Sequence, residues 1–213
     1  CESKSEKGTL PLSFSQDVKS EILRRKVPRA CCAASAAYAV ACFGKYFDDR
    51  GVVLQTENEG VAVFAEKMYA RCGITGAIIR KDRPAGPIFE FSVKDPVQVE
   101  KMLALFGHTG RETTLRIRPD CFKCQNCVSF FVSTAFLCCG TATDPEKEYN
   151  IEFLSPRHSL SQQLEGILAQ HEFNPHRAVR KGANTVQAKS SDPLEELLTL
   201  MRAGTAATPI KGQ

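Results

Sequence analysis

The sequence has no run of about 18 or more apolar residues, so nothing in it reads as a membrane span. The first residues carry Glu2, Lys4, Glu6 and Lys7 in place of the apolar core of a signal peptide, and the expectation is that none is present. A location in the cytoplasm is the expectation. Also missing are a G-x-S-x-G elbow, a phosphate-binding P-loop and a G-x-G-x-x-G leading into a helix, so hydrolase, NTPase and dinucleotide-binding readings have no footing. Aromatic residues make up only 8% of the chain and rarely stand among its basic residues, which argues against recognition of single strands by base stacking. Charge of either sign is not dominant. Lysine and arginine number 28 against 24 acidic residues, an excess of 4 that permits an anionic partner without requiring one.

What is present is enough for a sizeable core: 213 residues, 43% of them hydrophobic, suit one domain of two similar halves or two small domains in contact. The chain starts at Cys1 rather than Met, and the expectation is a piece of a longer product. Ten cysteines would mark a disulfide scaffold in a small secreted domain. Most of them lie in apolar, alanine-rich stretches such as Ala30-Cys31-Cys32-Ala33 and Leu137-Cys138-Cys139-Gly140, where a thiol acts as a small hydrophobe.

The clearest internal signal is a duplication. Asp95-Pro96-Val97 opens a helix-like segment that returns at Asp192-Pro193-Leu194, ninety-seven positions later, with glycines closing the copies at Gly107 and Gly204. Asp at the N-cap, Pro at the first helical position and Gly after the last turn predict the same short helix twice. Upstream, Ile79-Arg80-Lys81-Asp82 parallels Val179-Arg180-Lys181-Gly182 at an offset of one hundred, and both read as hairpins. Their second strands are Ile88 to Val93 and Asn184 to Lys189. Amphipathic helices are predicted over Val61 to Cys72 and Leu160 to Leu168, each following a strand, Gly51 to Thr56 and Tyr149 to Leu154. At the head of each half, Ala33 to Gly44 and Val128 to Gly140 read as apolar helices of small residues that allow close backbone approach. The fold class expected is α+β, two pseudo-symmetric αββαββα repeats over residues 13–107 and 121–204, joined by a linker at 108–120.

Paired small-residue helices ending in glycine resemble the LAGLIDADG helices of homing endonucleases, in pattern rather than in letters. A more specific resemblance is to WhiA-like sporulation and cell-division regulators. It is carried by Ser13-Phe14-Ser15-Gln16-Asp17-Val18-Lys19-Ser20-Glu21, the Cys31-Cys32 pair, Gln55-Thr56-Glu57-Asn58, Ala135-Phe136-Leu137-Cys138-Cys139-Gly140-Thr141, Asp144-Pro145-Glu146, Tyr149-Asn150-Ile151-Glu152 and Arg180-Lys181-Gly182. The resemblance implies the N-terminal LAGLIDADG-type domain of a bacterial transcription regulator. In that family a helix-turn-helix domain supplies much of the contact with double-stranded DNA, and the expectation is that it falls outside these 213 residues. A protein partner is a further expectation, and no membrane partner is expected.

A nuclease of this type needs an acid immediately before the glycine of each motif to bind the divalent cations that activate water. Phe43 and Cys139 stand there, and the nearest acids, Asp48, Asp49 and Asp144, lie beyond the glycines. The expectation is no catalytic residue, no enzyme activity, no cofactor and no metal ligand. Two rival signals stand in the sequence. Cys121-Phe-Lys-Cys124-Gln-Asn-Cys127 has zinc-like spacing but no visible fourth ligand, and reads as three thiols along one helical face. His171 to His176 has the wrong spacing for a zinc protease and contains Pro175. The DNA-binding candidates are the hairpin residues Arg80, Lys81, Arg83, Arg180 and Lys181, able to neutralise phosphates on both sides of a pseudo-two-fold axis. Lys19, Arg24, Arg25, Lys26 and Arg29 form a second basic group, read as a solvated helix face and linker.

Overall fold

Two stretches without a charged residue, Ala30–Phe43 and Cys127–Cys139, become the central helices of the fold. The computed structural model describes residues 14–142, 150–155, 157–170, 175–180, 183–189, 199 and 201. The first half runs α1 (Phe14–Arg24), α2 (Ala30–Phe43), β1 (Tyr46–Asp48), β2 (Gly51–Thr56), α3 (Glu59–Arg71), β3 (Ala77–Lys81), β4 (Ile88–Val93) and α4 (Pro96–Phe106). After a 3-10 turn at Pro119–Cys121 come α5 (Cys127–Cys139), β5 (Gly140–Ala142), β6 (Asn150–Ser155), α6 (His158–Gln170), β7 (Pro175–Arg180) and β8 (Ala183–Lys189). Each half builds a four-stranded antiparallel sheet in the same order, β1-β2-β4-β3 and β5-β6-β8-β7. The α+β class is as the sequence indicates.

Strand alternation sends Val52, Leu54, Phe91 and Val93 of the first sheet, and Ile151 and Phe153 of the second, into the core against the helices. A helix apolar on every side must be covered on every side. Accordingly α2 and α5 pack against each other more extensively than any other pair of helices. Ala33, Ser35, Ala36 and Ala37 are all buried in α2, and Ser35 Oγ donates to the Cys127 carbonyl of α5 at 2.6 Å. Both glycines that follow these helices have negative φ, so close approach rather than left-handed backbone selects them. A Cβ on Gly44 would stand 2.6 Å from the Val40 carbonyl oxygen and 2.8 Å from that of Val53, while one on Gly140 would meet the Phe136 ring at 2.2 Å.

The capping signature at α4 is realised as read. The Asp95 carboxylate accepts from the Val97 and Gln98 amides at 3.0 and 3.2 Å, Pro96 starts the helix, and Gly107 closes it at φ 67°. Its copy at Asp192 to Leu200 lies outside the described residues except for Thr199, which is helical, as is Met201 beyond it. His171 to Asn174 also lie outside them, and Pro175 opens strand β7.

The segment from His108 to Arg118 has no helix or strand, yet it is stitched to both halves. Tyr38 Oη of α2 accepts the Arg118 amide at 2.9 Å and lies 2.6 Å from His108 Nε2. Gln163 and Ser159 of α6 donate to the Leu115 carbonyl at 3.3 and 3.1 Å. Among the described residues no helix is long and apolar enough to cross a membrane.

Candidate nucleic-acid interface

The C-terminal ends of α2 and α5 are where the motif would place its acids. Phe43 is instead buried, edge-on to Phe131 at 5.8 Å between ring centres, and Cys139 Sγ donates to the Ala135 carbonyl at 3.3 Å. A basic side chain attends each end. Arg157 Nη1 donates to the Cys42 carbonyl at 2.7 Å, where the α2 dipole is negative. Burial lowers the Arg157 pKa, an effect opposed by the neighbouring Cys42 and Asp48. Lys19 Nζ, from α1, lies 5.8 Å from the Phe136 ring centre, and its pKa is lowered by burial against the opposing influence of Cys138 and Cys139. Lys19 and Arg25 are therefore only partly exposed, while Arg24, Lys26 and Arg29 are exposed, so the second basic group is not one solvated face.

The nearby acids are engaged. Asp48 binds Arg50 at 2.8 Å, and this contact holds its carboxyl below the usual range against the opposing effect of burial. Asp49 binds Arg111 at 3.0 Å. Asp144 lies outside the described residues.

In the first hairpin each basic candidate faces a carboxylate. Arg80 meets Asp82 at 3.1 Å, Lys81 meets Glu90 at 2.9 Å, and Arg83 meets Glu57 at 2.9 Å. Glu90 is the buried member, and it also accepts from Gln55 Nε2 at 2.7 Å. The hydrogen bonds from Gln55 and Lys81 hold its pKa down against burial. Arg80 and Lys81 are neighbours on a strand and so take opposite faces. Arg80 pairs with Phe89 and lies on the helix side, 6.0 Å from that ring centre, whereas Lys81 pairs with Ile88 and takes the open side of the sheet with Glu90 and Ile79.

The ladders also correct the offset between the hairpins. Lys81 and Ile88 close the first, and Arg180 and Ala183 close the second, so Arg180 holds the pairing position of Lys81 rather than that of Arg80. Lys181 lies outside the described residues, as does the side chain of Arg180.

The cysteine run differs from its sequence reading. Helix α5 begins only at Cys127, so the three thiols do not share a helical face. Cys121 ends the 3-10 turn, its Sγ 3.8 Å from the Phe106 carbonyl. Cys124 and Cys127 instead meet Cys31 and Cys32 at the start of α2, and all four Sγ atoms lie within 4.8 Å of one another. Cys124 Sγ is 3.5 Å from both Cys32 Sγ and Cys127 Sγ. Against burial, the Asn126 amide and the surrounding thiols hold Cys124 down to about 6, while burial, helped by Cys124, pushes Cys32 up to about 12. The first half supplies two thiols to this cluster that local spacing could not reveal.

Residues 128–213 match the family described as the WhiA LAGLIDADG-like domain. The probable cell division protein WhiA of Lachnoclostridium phytofermentans is 29% identical over 209 residues, which cover 92% of this chain and 66% of that protein. The protein of the same description from Caldicellulosiruptor saccharolyticus is 24% identical over 211 residues, 92% of this chain and 64% of its own. The chain thus spans just under two thirds of the length of these curated relatives. Among solved structures, the N-terminal LAGLIDADG domain of DUF199/WhiA superposes with a TM-score of 0.68 at 14% identity, over 90% of this chain and 94% of that one. The homing endonuclease I-DmoI in complex with DNA and Mn gives 0.53 at 9% identity, over 81% and 98% of the two chains. At such identities the structural likeness speaks for the fold. Sequence and fold together make this chain a WhiA-like protein with a LAGLIDADG-like domain, homologous to the N-terminal LAGLIDADG domain of WhiA.

Proposed function

We propose that this chain is the non-catalytic N-terminal domain of a bacterial DNA-binding regulator acting in cell division or sporulation. One observation carries the reading: at the helix ends where a LAGLIDADG nuclease presents acids, this chain has Phe43 and Cys139, with Arg157 and Lys19 drawn in beside them. A guanidinium on the terminal carbonyl of α2 opposes a divalent cation at the same place, and Asp48 and Asp49 already serve arginines. On this reading the architecture is kept while, among the described residues, no unpaired carboxylate stands at these helix ends to bind a catalytic cation.

Double-stranded DNA is the proposed partner, held in the full-length protein mainly by a helix-turn-helix domain, with this domain adding phosphate contacts. Lys81 and Arg180 at equivalent pairing positions are the pair best suited to a pseudo-symmetric duplex, with Arg80, Arg83 and Lys181 beside them. The pairing of Arg80, Lys81 and Arg83 with carboxylates favours a second reading, a scaffold or protein-docking module that does not touch DNA.

Anisotropy of a labelled duplex across a salt series separates the two. DNA contact predicts affinity that falls with salt, and loss of both Lys81 and Arg180 to alanine should reduce the log–log slope by about 2, one for each phosphate contact. Flat, undetectable binding at low salt would replace this reading with the scaffold. Incubation of a duplex panel with magnesium or manganese should leave every strand intact, and specific cleavage would defeat the non-catalytic assignment.

A further inference from the structure

We propose that Cys31, Cys32, Cys124 and Cys127 form a structural zinc site that clamps the two halves of the repeat together. Around a tetrahedral zinc with Zn–S near 2.3 Å, sulfurs stand about 3.8 Å apart. The four Sγ atoms here fall within 4.8 Å of one another, with two of the separations at 3.5 Å, so a single ion at their centre needs little movement of any side chain. An iron–sulfur cluster interposes several iron atoms between its thiolates and requires a wider spread.

Local structure supports the same ligand set. Cys124-Gln-Asn-Cys127 has the two-residue spacing common to zinc sites, and its turn is closed by the Cys127 amide donating to the Cys124 carbonyl at 3.1 Å. The Asn126 amide donates to Cys124 Sγ, the outer bond that orients a thiolate ligand. Cys31 and Cys32 are adjacent on a helix, where side chains diverge by about 100°. They converge with the other pair because the meeting point lies off the first turn of α2. Cys127 is likewise the first residue of α5, so two helix N-termini, each carrying partial positive charge, adjoin the sulfurs.

Four thiolates around Zn²⁺ leave a net charge of −2, and a cation is at hand. Arg25 interacts electrostatically with Cys32, stacks on Phe130 at 3.7 Å, and donates from Nη1 to Ser129 Oγ at 2.7 Å. Its buried Nε has no partner among the described residues. Four protein ligands leave no open position, so the site is a staple and not a catalyst. Two ligands come from each half. The clamp therefore sits at the N-terminal ends of the paired helices, while the glycines and Arg157 mark their C-terminal ends.

Elemental analysis of the 213-residue chain, purified without oxygen or chelator, tests this. The expected result is about one zinc per chain. Cys32→Ser and Cys124→Ser should each bring it below about a tenth, while Cys121→Ser, outside the set, retains it. Should those variants fail to fold, cobalt exchanged into the unaltered chain should show the spectrum of a tetrahedral tetrathiolate. Unaltered chain that holds no zinc and gives no such spectrum overturns the proposal, and so does an equivalent of iron in its place.

Discussion

Glu90 shows how much one residue's meaning depends on register. In the run Ile88 to Val93 it is only a polar member of an alternating strand, but the ladder sets it opposite Ile79 and within reach of Lys81 and Gln55. Its pKa lies below the ordinary 4.5 because hydrogen bonds from Gln55 and Lys81 favour the charged form. The stability it contributes is therefore fully present above pH 4.5 and is lost as the pH falls through the lower folded-state value. Urea midpoints of the unaltered chain and Glu90→Gln should differ at pH 7 in favour of the former, and the gap should close on acidification below 4.5. A constant gap down to pH 3 would mean that the carboxylate is not what matters. The same substitution frees Lys81, so if this face meets DNA the salt dependence of binding should steepen.

At the scale of elements, the sequence was most informative where a local rule decides the outcome. Asp95, Pro96 and Gly107 announce both ends of α4, and strand β4 runs over the residues that its alternation indicates. It was least informative where an element's role depends on what crosses it, as with Gly44. Its position after an apolar helix suggests an ordinary C-terminal glycine, but the backbone there is extended and the site is walled by two carbonyl oxygens. The two kinds of position should respond differently. Asp95→Ala loses a cap and should cost about 1 kcal/mol. Gly44→Ala forces α2 and β2 apart and should cost about 1–3 kcal/mol, with the larger loss expected of the two. Chemical denaturation of both variants checks this order. Equal losses would mean that the α2–β2 junction yields easily, contrary to its backbone contacts.

For the whole molecule, the duplication made the two-sheet architecture legible, since each half repeats the same element order. The contacts between halves were not legible, because they join residues about ninety positions apart. Thus no fourth sulfur is visible near Cys121 to Cys127, whereas across the fold Cys31 and Cys32 supply two and Cys121 stands outside the cluster. For the same reason the repeats, though separable on paper at 108–120, should not be separable in solution. Helix α2 is buried along nearly its whole length partly because α5 covers it, and Tyr38 and Gln163, one from each half, grip the connecting segment at Arg118 and Leu115. A fragment ending at Gly107 would expose the α5-facing side of α2, an apolar surface with no compensating charge, and would lose the Tyr38 bonds to the segment that follows. Expressed alone, residues 14–107 should form a loosely packed or aggregated species with weak near-ultraviolet circular dichroism, and co-expression with residues 108–213 should restore a native spectrum and a complex of the two fragments on gel filtration. A monomeric, cooperatively unfolding 14–107 fragment would instead make each repeat an autonomous domain, and the shared helix interface would be a docking contact rather than the common core.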